Sequence, residues 1–562
     1  MNKDLAKIFY SIADYLRMDN VAFRPYAYDK AAMSLEGLEE DVKDIYKRGG
    51  LKELEEIPGV GKNIALKIEE YIKTGKVATY DRLKKKTPVN LGELTSVEGM
   101  GVKKAKVLYE KLKIKNLKDL EKAVKAHKIA PLEGFGEKTE KNILQGIAFV
   151  KRNKGRFLLG EIMPVVEDII NELNSLKEVE KISPAGSVRR MKETIGDVDI
   201  LVVSKNPKKV MDFFVSLKGV VKIWNKGTTK SSIRMKKGFD VDLRVVPAKS
   251  YGSALQYFTG SKEHNIATRK IAISKKLKLN EYGLFKGSKM IAGKNEKEIY
   301  KALGFGFIPP ELREDKGELT NELPKLIDYN DIKGDLHLHS NWDGGSNSIK
   351  EIALRGKELG YKYVGIADHT KFLRIEHGLN EKQLAKQRKE IDKLDLDIKI
   401  LQGCEANILN DGSIDIKDEA LAKLDFVIAG VHSSMKMDKE KMTERIITAM
   451  RNPHVDIISH PTGRVLNYRD EYQVDFDRIL KEAKKTNTIL EINASPYRLD
   501  LKDTNIKKAK EAGVKMIINT DAHHVEQMDY MKYGIAQAKR GWAEKKDIIN
   551  ALPFSKLLKF FK

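Results

Sequence analysis

Two acid-x-acid pairs stand out in the first half of the chain. Asp197-Val198-Asp199 follows Gly186-Ser187-Val188-Arg189-Arg190 by a few residues and opens an apolar run to Val203, while Asp240-Val241-Asp242 opens another to Val246. On an extended strand residues i and i+2 face the same side, so Asp197 and Asp199 can meet one ion together. Hard divalent cations take oxygen ligands, and Mg²⁺ held by one or two carboxylates completes its shell with substrate phosphates. A third carboxylate from a neighbouring strand would make a two-cation clamp for in-line phosphoryl transfer. Asp240 and Asp242 both qualify, and spacing does not choose between them. Gly186 and Ser187 offer backbone and hydroxyl donors to a triphosphate, with Arg190 as a charged clamp.

A second constellation lies downstream. Nine of the 11 histidines follow residue 330. Asp335-Leu336-His337-Leu338-His339 puts two imidazoles on one strand face. The runs Tyr363–Ala367, Ile400–Cys404, Phe426–Val431, Val455–Ser459 and Met516–Thr520 end, respectively, in His369, Glu405, His432, His460 and Asp521-Ala522-His523. Ligand-type residues at the ends of successive strands are what an active site on the face of a β/α barrel requires. The mixed imidazole and carboxylate set suits Zn²⁺ or Mn²⁺ better than Mg²⁺. His377, His454 and His524 fall off the pattern and read as structural. Glu491 also follows an apolar run but is assigned no ligand role.

The elements that must position these groups follow from periodicity and composition. At 562 residues the chain is too long for one core, and about one domain per 150 residues predicts three or four. The fold class expected is multidomain α+β and α/β. The front is helical and carries a repeat: Ile57-Pro58-Gly59-Val60-Gly61, Val97-Glu98-Gly99-Met100-Gly101 and Leu132-Glu133-Gly134-Phe135-Gly136 each precede a helical pattern, with Ala65 and Ala105 at matching places in the first two. This reads as helix, tight hairpin, helix. Glycine turns leave the next helix's first amides exposed, where amides and dipole attract a phosphate without reading a base. Strand-like runs take over near residue 157, Pro309-Pro310 to Lys333-Gly334 reads as a linker region, and strands alternating with helices follow.

Composition narrows the partners. Hydrophobic residues at 41%, charged at 33% and aromatic at 7% exclude a collagen-like or mostly disordered chain, and no apolar stretch is long enough to span a membrane. Lys+Arg 104 against Asp+Glu 81 gives +23, which favours a polyanion, nucleic acid above all; a lysine-rich, thermophile-style surface accounts for part of the same bias. The single cysteine, Cys404, excludes an internal disulfide framework and a multi-cysteine zinc site. The amphipathic N-terminus does not read as a signal peptide, so the cytoplasm is expected.

Gly186-Ser187, Asp197-Val198-Asp199 and Asp242-Leu243-Arg244 resemble the nucleotidyltransferase palm of family X DNA polymerases, and Tyr257-Phe258-Thr259-Gly260-Ser261 with Asn265, Arg269 and Asn280-Glu281-Tyr282-Gly283 is similar to that family's nucleotide-selecting subdomain. The resemblance implies that Asp197, Asp199 and Asp242 hold two Mg²⁺ and that Gly186, Ser187 and Arg190 bind triphosphate. By the same token Tyr257, Phe258 and Gly260 sit by the sugar, and Asn265 and Arg269 face the nascent pair. Some members open abasic sugars through a Schiff-base lysine, and Lys67 falls on that position, with Tyr28 and Lys30 on a similar segment. The part from about 335 to 530 resembles the polymerase and histidinol phosphatase (PHP) superfamily, a distorted barrel with a trinuclear metal centre. It implies His337, His339, His369, Glu405, His432, His460, Asp521 and His523 as ligands of up to three Mn²⁺ or Zn²⁺. Relatives usually read Trp-Ser-Asp-Gly after the first histidine pair; here Trp342-Asp343-Gly344-Gly345 brings Asp343 one place early, and it is kept in the ligand set.

The domains expected are 1–80 and 81–155 (helix-hairpin-helix, binding DNA through Gly59, Gly61, Gly99, Gly101, Gly134 and Gly136), 156–248 (palm), 249–318 (nucleotide selection), 319–334 (linker) and 335–562 (PHP). The activity expected is template-directed filling of short gaps in DNA repair, with a 3′-5′ exonuclease, and further abasic-site cleavage or deoxyribose phosphate lyase activity. Gapped or nicked DNA and deoxynucleoside triphosphates would be the partners of a monomer. The competing readings are a PHP-type small-molecule phosphatase with a DNA-targeting front half, and a non-catalytic scaffold for DNA ends.

Overall fold

Leu5, Phe9, Ile12 and Leu16 recur at helical spacing and are all buried, and the stripe they make seats the first of a run of helices from Asn2–Met18 to Gly136–Asn153. The structure, a computed structural model, describes residues 1–562 apart from 39, 58, 98, 99, 154, 321 and 374–376. This helical region divides into two cores, one gathering Leu5 to Val77 and one Val89 to Ile147 together with Tyr15 and Met18. In the first repeat the helix Lys62–Thr74 starts at Gly61 with no side-chain cap, and in the second Val102–Leu112 starts at Gly101 in the same way. Ala65 and Ala105 are both fully buried; a small side chain there lets the paired helices close. Gly59 has φ of 76°, and a Cβ on it would meet Lys30 Cγ at 2.6 Å, so that turn requires glycine. Gly134 and Gly136 bracket the third turn, while Gly99 lies outside the described residues.

The next body supplies β1 (Phe157–Leu158), β2 (Val179–Pro184), β3 (Thr194–Ile195), β4 (Asp197–Ser204), β5 (Val220–Lys226), β6 (Lys230–Met235) and β7 (Asp240–Val245). β1 pairs with β3, and the others form one sheet in the order β2-β4-β7-β6-β5. Only β4 and β7 are parallel, in a register that sets Asp197 beside Asp240 and Asp199 beside Asp242. Alternation then sorts the side chains: Val198, Ile200, Val202, Val241 and Leu243 pack against the helices Leu159–Asn174 and Pro207–Val215, and the aspartates face the other way. Helices Tyr251–Thr259, Lys262–Ser274 and Glu296–Leu303 follow, with a meander of β8 (Lys278–Asn280), β9 (Gly283–Lys286) and β10 (Lys289–Ala292). The stretch expected as a linker runs along the last body, where Ile327 and Ile332 join the core.

That body is built on parallel strands: β11 (Gly334–Leu338), β12 (Tyr363–Ile366) and β13 (Lys399–Gln402) in one sheet, and β14 (Glu405–Asn407), β15 (Ile428–Gly430), β16 (Ile457–Ile458), β17 (Ile489–Asn493) and β18 (Met516–Asn519) in another. Bridges from His369 to Glu405 and from Leu338 to Ala522 join the sheets at both seams, closing a distorted barrel. Its floor is apolar, with Leu336, Phe426, Ile428, Ile457, Ile489 and Ile517 clustered and Phe554, Phe560 and Phe561 packed below. Strand ends carrying polar residues therefore gather at the opposite mouth. No described helix is long and apolar enough to cross a membrane.

Gly365 of β12 and Gly403, just past β13, make room for the floor. A Cβ on Gly365 would sit 2.8 Å from Leu336 Cα and 2.8 Å from the Phe426 ring. Gly365→Ala should therefore destabilise the barrel by about 1–3 kcal/mol through overpacking, seen as a lower urea midpoint for the C-terminal body; an unchanged midpoint would contradict the packing described.

Candidate active sites

The parallel register of β4 and β7 brings Asp197, Asp199 and Asp242 onto one face, at the edge of a cavity of about 450 Å³. Its lining includes Asp197, Asp199, Gly186, Ser187, Arg190, Tyr257, Phe258, Gly260, Asn265 and Arg269, so every residue expected to touch the nucleotide is brought to one place. Asp242 stands beside it on β7. The structure also separates the two β7 candidates: Asp240 is taken up by Arg234, through contacts of 2.8 Å from Nε and from Nη2, and by Trp224 Nε1 at 2.8 Å. The Arg234 hydrogen bonds hold the Asp240 carboxyl below its usual range. Asp242 is left with Lys230 Nζ at 3.3 Å.

The electrostatics of the acidic group call for cations. Burial, with the Asp197 and Asp242 charges beside it, pushes Asp199 up to about 7, and Arg244 and Lys230 offset this only in part. Oxygen donors carrying uncompensated negative charge fit hard divalent ions. Gly186, at φ of 60°, lies where a Cβ would meet Asp199 Oδ2 at 2.7 Å, so the turn before β4 closes directly onto this carboxylate. Arg190 is held by Glu314, from Nε at 3.0 Å, and by the Thr259 carbonyl. Tyr257 and Phe258 meet edge to face with centroids 5.1 Å apart, and the Arg244 guanidinium stands 4.5 Å from the Phe258 centroid. Asn265 is fixed by Gln256 at 3.0 Å and donates to the Tyr257 carbonyl at 2.6 Å. Arg156, Lys192 and Lys262 also line the cavity; reading the sequence missed them, and for Lys192 the signal was its place two residues past the arginine pair.

At the barrel mouth the imidazoles converge on Glu405. Its Oε2 lies 2.9 Å from His369 Nε2 and 3.3 Å from His337 Nε2, and its Oε1 lies 3.0 Å from His460 Nε2 and 3.2 Å from His432 Nε2. Asp521 Oδ1 is 3.3 Å from His339 Nε2, and the His523 ring stacks on His339 with centroids 4.1 Å apart. The opposite ring nitrogens are held from outside: His337 Nδ1 by Glu491 at 2.6 Å and His432 Nδ1 by Asn407 at 2.7 Å. Asp343 Oδ2 reaches Nδ1 of both His339 and His369 at 2.9 Å. Despite its early place in the sequence, Asp343 joins the cluster, 5% exposed, on the side of the rings away from Glu405. Fixing one imidazole nitrogen so that the other points inward is how metal sites are oriented. Asn407 was not singled out in the sequence; its position two residues past Glu405 is the signal.

Several observations fit this donor set to a cluster of divalent metals. Ligand atoms of His337, His339, Glu405 and Asp521 lie within 4.8 Å of one another, as do those of His339, His369 and His523, and of His369, Glu405 and His432. His337 Nε2 and His339 Nε2 are buried without a hydrogen-bond partner. Burial opposes charge on His337 and His369, but Glu491 and Glu405 raise the first and Glu405 and Asp343 the second well above the usual imidazole value. Burial also works against ionised Glu405, yet the surrounding histidines hold it well below its usual range. His432 and His523 are pushed down to about 4, chiefly by burial, and so stay neutral.

Lys67 lies elsewhere, half-buried on the helix Lys62–Thr74, with Nζ donating to the Asn63 carbonyl at 3.0 Å and 6.0 Å from the Tyr28 ring centroid.

Family models match four stretches: a helix-hairpin-helix domain over residues 1–77, a SAM-like helix-hairpin-helix tandem over 91–148, a DNA polymerase beta thumb over 254–314 and a PHP domain over 335–495. Over its whole length the chain is similar to the DNA polymerase/3′-5′ exonuclease PolX of Bacillus subtilis, 37% identical over 571 residues that cover 100% of this chain and 99% of that protein. Its C-terminal third is also similar to probable phosphatases of Thermoanaerobacter sp. (33% identical over 201 residues, 34% of this chain and 78% of that protein) and Clostridium acetobutylicum (31% over 200 residues, 34% and 78%).

The raised value at Asp199 fixes a pH dependence. Below about 7 its proton competes with a cation. In the metal-free protein the same shift contributes stability that is present in acid and lost as pH rises through that value. The Mn²⁺ binding that Asp199→Ala removes should strengthen about tenfold per pH unit up to neutrality and then level. Titration from acid to mildly alkaline pH measures it, and a flat profile would contradict the site described.

Proposed function

Because the chain belongs to the family X DNA polymerases that carry a C-terminal PHP domain, we propose that it extends DNA 3′ ends at the acidic cavity and degrades them at the barrel mouth. The helical repeats hold gapped or nicked DNA by its backbone, through the open amides after Gly61 and Gly101 and the matching turn of Gly134 and Gly136. The observation that supports the polymerase reading most is the β4–β7 register, which faces three carboxylates toward a cavity lined by Gly186, Ser187, Arg190 and the Tyr257–Arg269 group.

At that site Asp197, Asp199 and Asp242 would hold two Mg²⁺. Cations bound there neutralise triphosphate charge and favour in-line attack of a primer 3′-OH on the α-phosphorus, with pyrophosphate leaving. Ser187, the Gly186 turn and Arg190 bind the phosphates. Tyr257, Phe258 and Gly260 wall the sugar, and Asn265 and Arg269 face the nascent base pair. At the barrel, His337, His339, His369, Glu405, His432, His460, Asp521 and His523 would hold up to three Mn²⁺ or Zn²⁺, with Glu491 and Asn407 steering the rings; Asp343, expected as a ligand, instead takes a ring-orienting place in this reading, because its Oδ2 meets Nδ1 of His339 and of His369. Such metals lower the pKa of bound water and stabilise charge on a phosphodiester. His337 and His369 would have to give up protons for their Nε2 atoms to serve as donors, and Glu405 would be the carboxylate donor among them.

The two centres share no ligand, so their activities separate. Asp199→Ala should reduce gap filling by at least about a hundredfold and leave 3′-end degradation unchanged, whereas His339→Ala should do the reverse. Extension and 3′-labelled degradation assays on each variant measure this. Loss of both activities in each variant would contradict separate centres, and faster turnover of histidinol phosphate than of DNA would favour a small-molecule phosphatase.

The finer activities belong to the same proposal. The barrel also cleaves at abasic sites, and Lys67 opens the abasic sugar as an amine nucleophile, supported by its place on the helix that follows Gly61. Borohydride should trap a covalent adduct between the protein and a 5′-deoxyribose phosphate end, and Lys67→Ala should lower the yield about tenfold or more; an undiminished yield would remove Lys67 from that role.

A further inference from the structure

Between the palm and the barrel lies a buried cluster of charge that neither centre uses as ligands. Arg540, at the end of the barrel-body helix Met531–Arg540, is 4% exposed. Its Nη1 donates to the Arg190 carbonyl oxygen at 3.0 Å and lies 3.2 Å from Glu314 Oε1, while its Nη2 meets Asp503 at 2.7 Å. Glu314 also accepts from Arg190 Nε at 3.0 Å and lies 3.7 Å from Lys192 Nζ. One carboxylate is thus shared by three cations, two of which line the nucleotide cavity. Three residues past Arg190, Glu193 is gripped by Arg464 and by Gln537, each at 2.7 Å. Segment 190–193 is therefore pinned at both ends by side chains of the barrel body.

This geometry sets up a competition for the Arg190 guanidinium. Glu314 accepts from its Nε, and a polyphosphate entering the cavity that Arg190 lines competes with that carboxylate for the same cation. How strongly Glu314 holds on depends on how far its charge is already satisfied, and Arg540 is the cation outside the cavity that satisfies it. We propose that Arg540, from the PHP body, is a positioning residue for nucleotidyl transfer: by sharing Glu314 it weakens that carboxylate's hold on Arg190 and so sets the affinity for the incoming nucleoside triphosphate. The inference rests on the polymerase reading above. It makes the degradative domain a structural part of the nucleotide site, while Arg540 itself touches no substrate.

Steady-state filling of a gapped duplex by the full chain tests it, with wild type, Arg540→Gln, Arg540→Lys, Glu314→Gln and the Arg540→Gln, Glu314→Gln double variant. Thermal unfolding and 3′-end degradation are recorded for each. Arg540→Gln should raise KM for the nucleotide about tenfold with kcat within about twofold, and Arg540→Lys should recover part of the loss. Glu314→Gln should lower KM, and the double variant should match Glu314→Gln, because Arg540 acts through that carboxylate. An unchanged KM in Arg540→Gln, a loss confined to kcat, or a double variant as weak as Arg540→Gln would each overturn the inference while leaving wild-type polymerisation in place. Should Arg540→Gln fail to fold, Glu314→Gln decides alone, and a KM unchanged or raised counts against the proposal. Absence of extension by the wild type would overturn the polymerase reading, and this inference with it.

Discussion

The front catalytic body is organised around the repulsion between three carboxylates that its sheet does not allow to separate. Val198, Ile200 and Val202 alternate with the aspartates of β4 and are buried in the core beneath, so the strand cannot slide without exposing them. The β7 register then places Asp242 beside Asp199. Asp240 would have deepened the repulsion, but Arg234 and Trp224 draw it aside. What remains is a group of acids one charge too crowded, which cations relieve. The barrel mouth solves its electrostatics differently. There imidazoles and carboxylates are interleaved around Glu405, and the neighbouring acids hold His337 and His369 well above the usual imidazole value against the opposing effect of burial. One centre crowds negative charge with little to offset it; the other interleaves acids and imidazoles.

The two centres sit on different bodies, yet the bodies are not strung loosely together. Arg464 lies four residues past His460, on the loop that leaves β16, and its side chain reaches Glu193 of the palm. Tyr533 and Leu499 of the barrel body enter the palm's own core. Arginines this deeply enclosed need their carboxylate partners, since leaving a buried charge unpaired costs several kcal/mol. The palm–barrel contact is consequently part of the folded state of each, and segment 190–193 lies at its centre.

Much of this was legible in the residues. Periodicity of two around Asp197 and Asp199 gave the strand and its wet face, and polar residues ending successive apolar runs gave the barrel and its mouth. The glycine repeats gave the helical hairpins, although Gly99 lies outside the described residues. Spacing did not choose Asp242 over Asp240, and only the resemblance pointed to it, because the physical reason lies in Arg234 on the adjacent strand β6 and Trp224 on β5 beyond it, a tertiary fact without local signature. Asp343 shows the reverse case: one place early along the chain, it still reaches two imidazoles, His339 and His369. Glu491 and Asn407 carried a signal in their places along the chain, but their pairing with His337 and His432, like the whole Arg540 cluster, joins residues far apart in the sequence.

The central claim is that these acids exist to hold paired cations, apart from a second metal group in the barrel. Anomalous diffraction from crystals of the full chain grown with Mn²⁺ and a non-hydrolysable deoxynucleoside triphosphate tests it most directly. The account predicts anomalous density between Asp197, Asp199 and Asp242, touching the phosphates, and separate density among the barrel histidines. Density confined to the barrel, with the three aspartates turned away from one another and from the nucleotide, would contradict it.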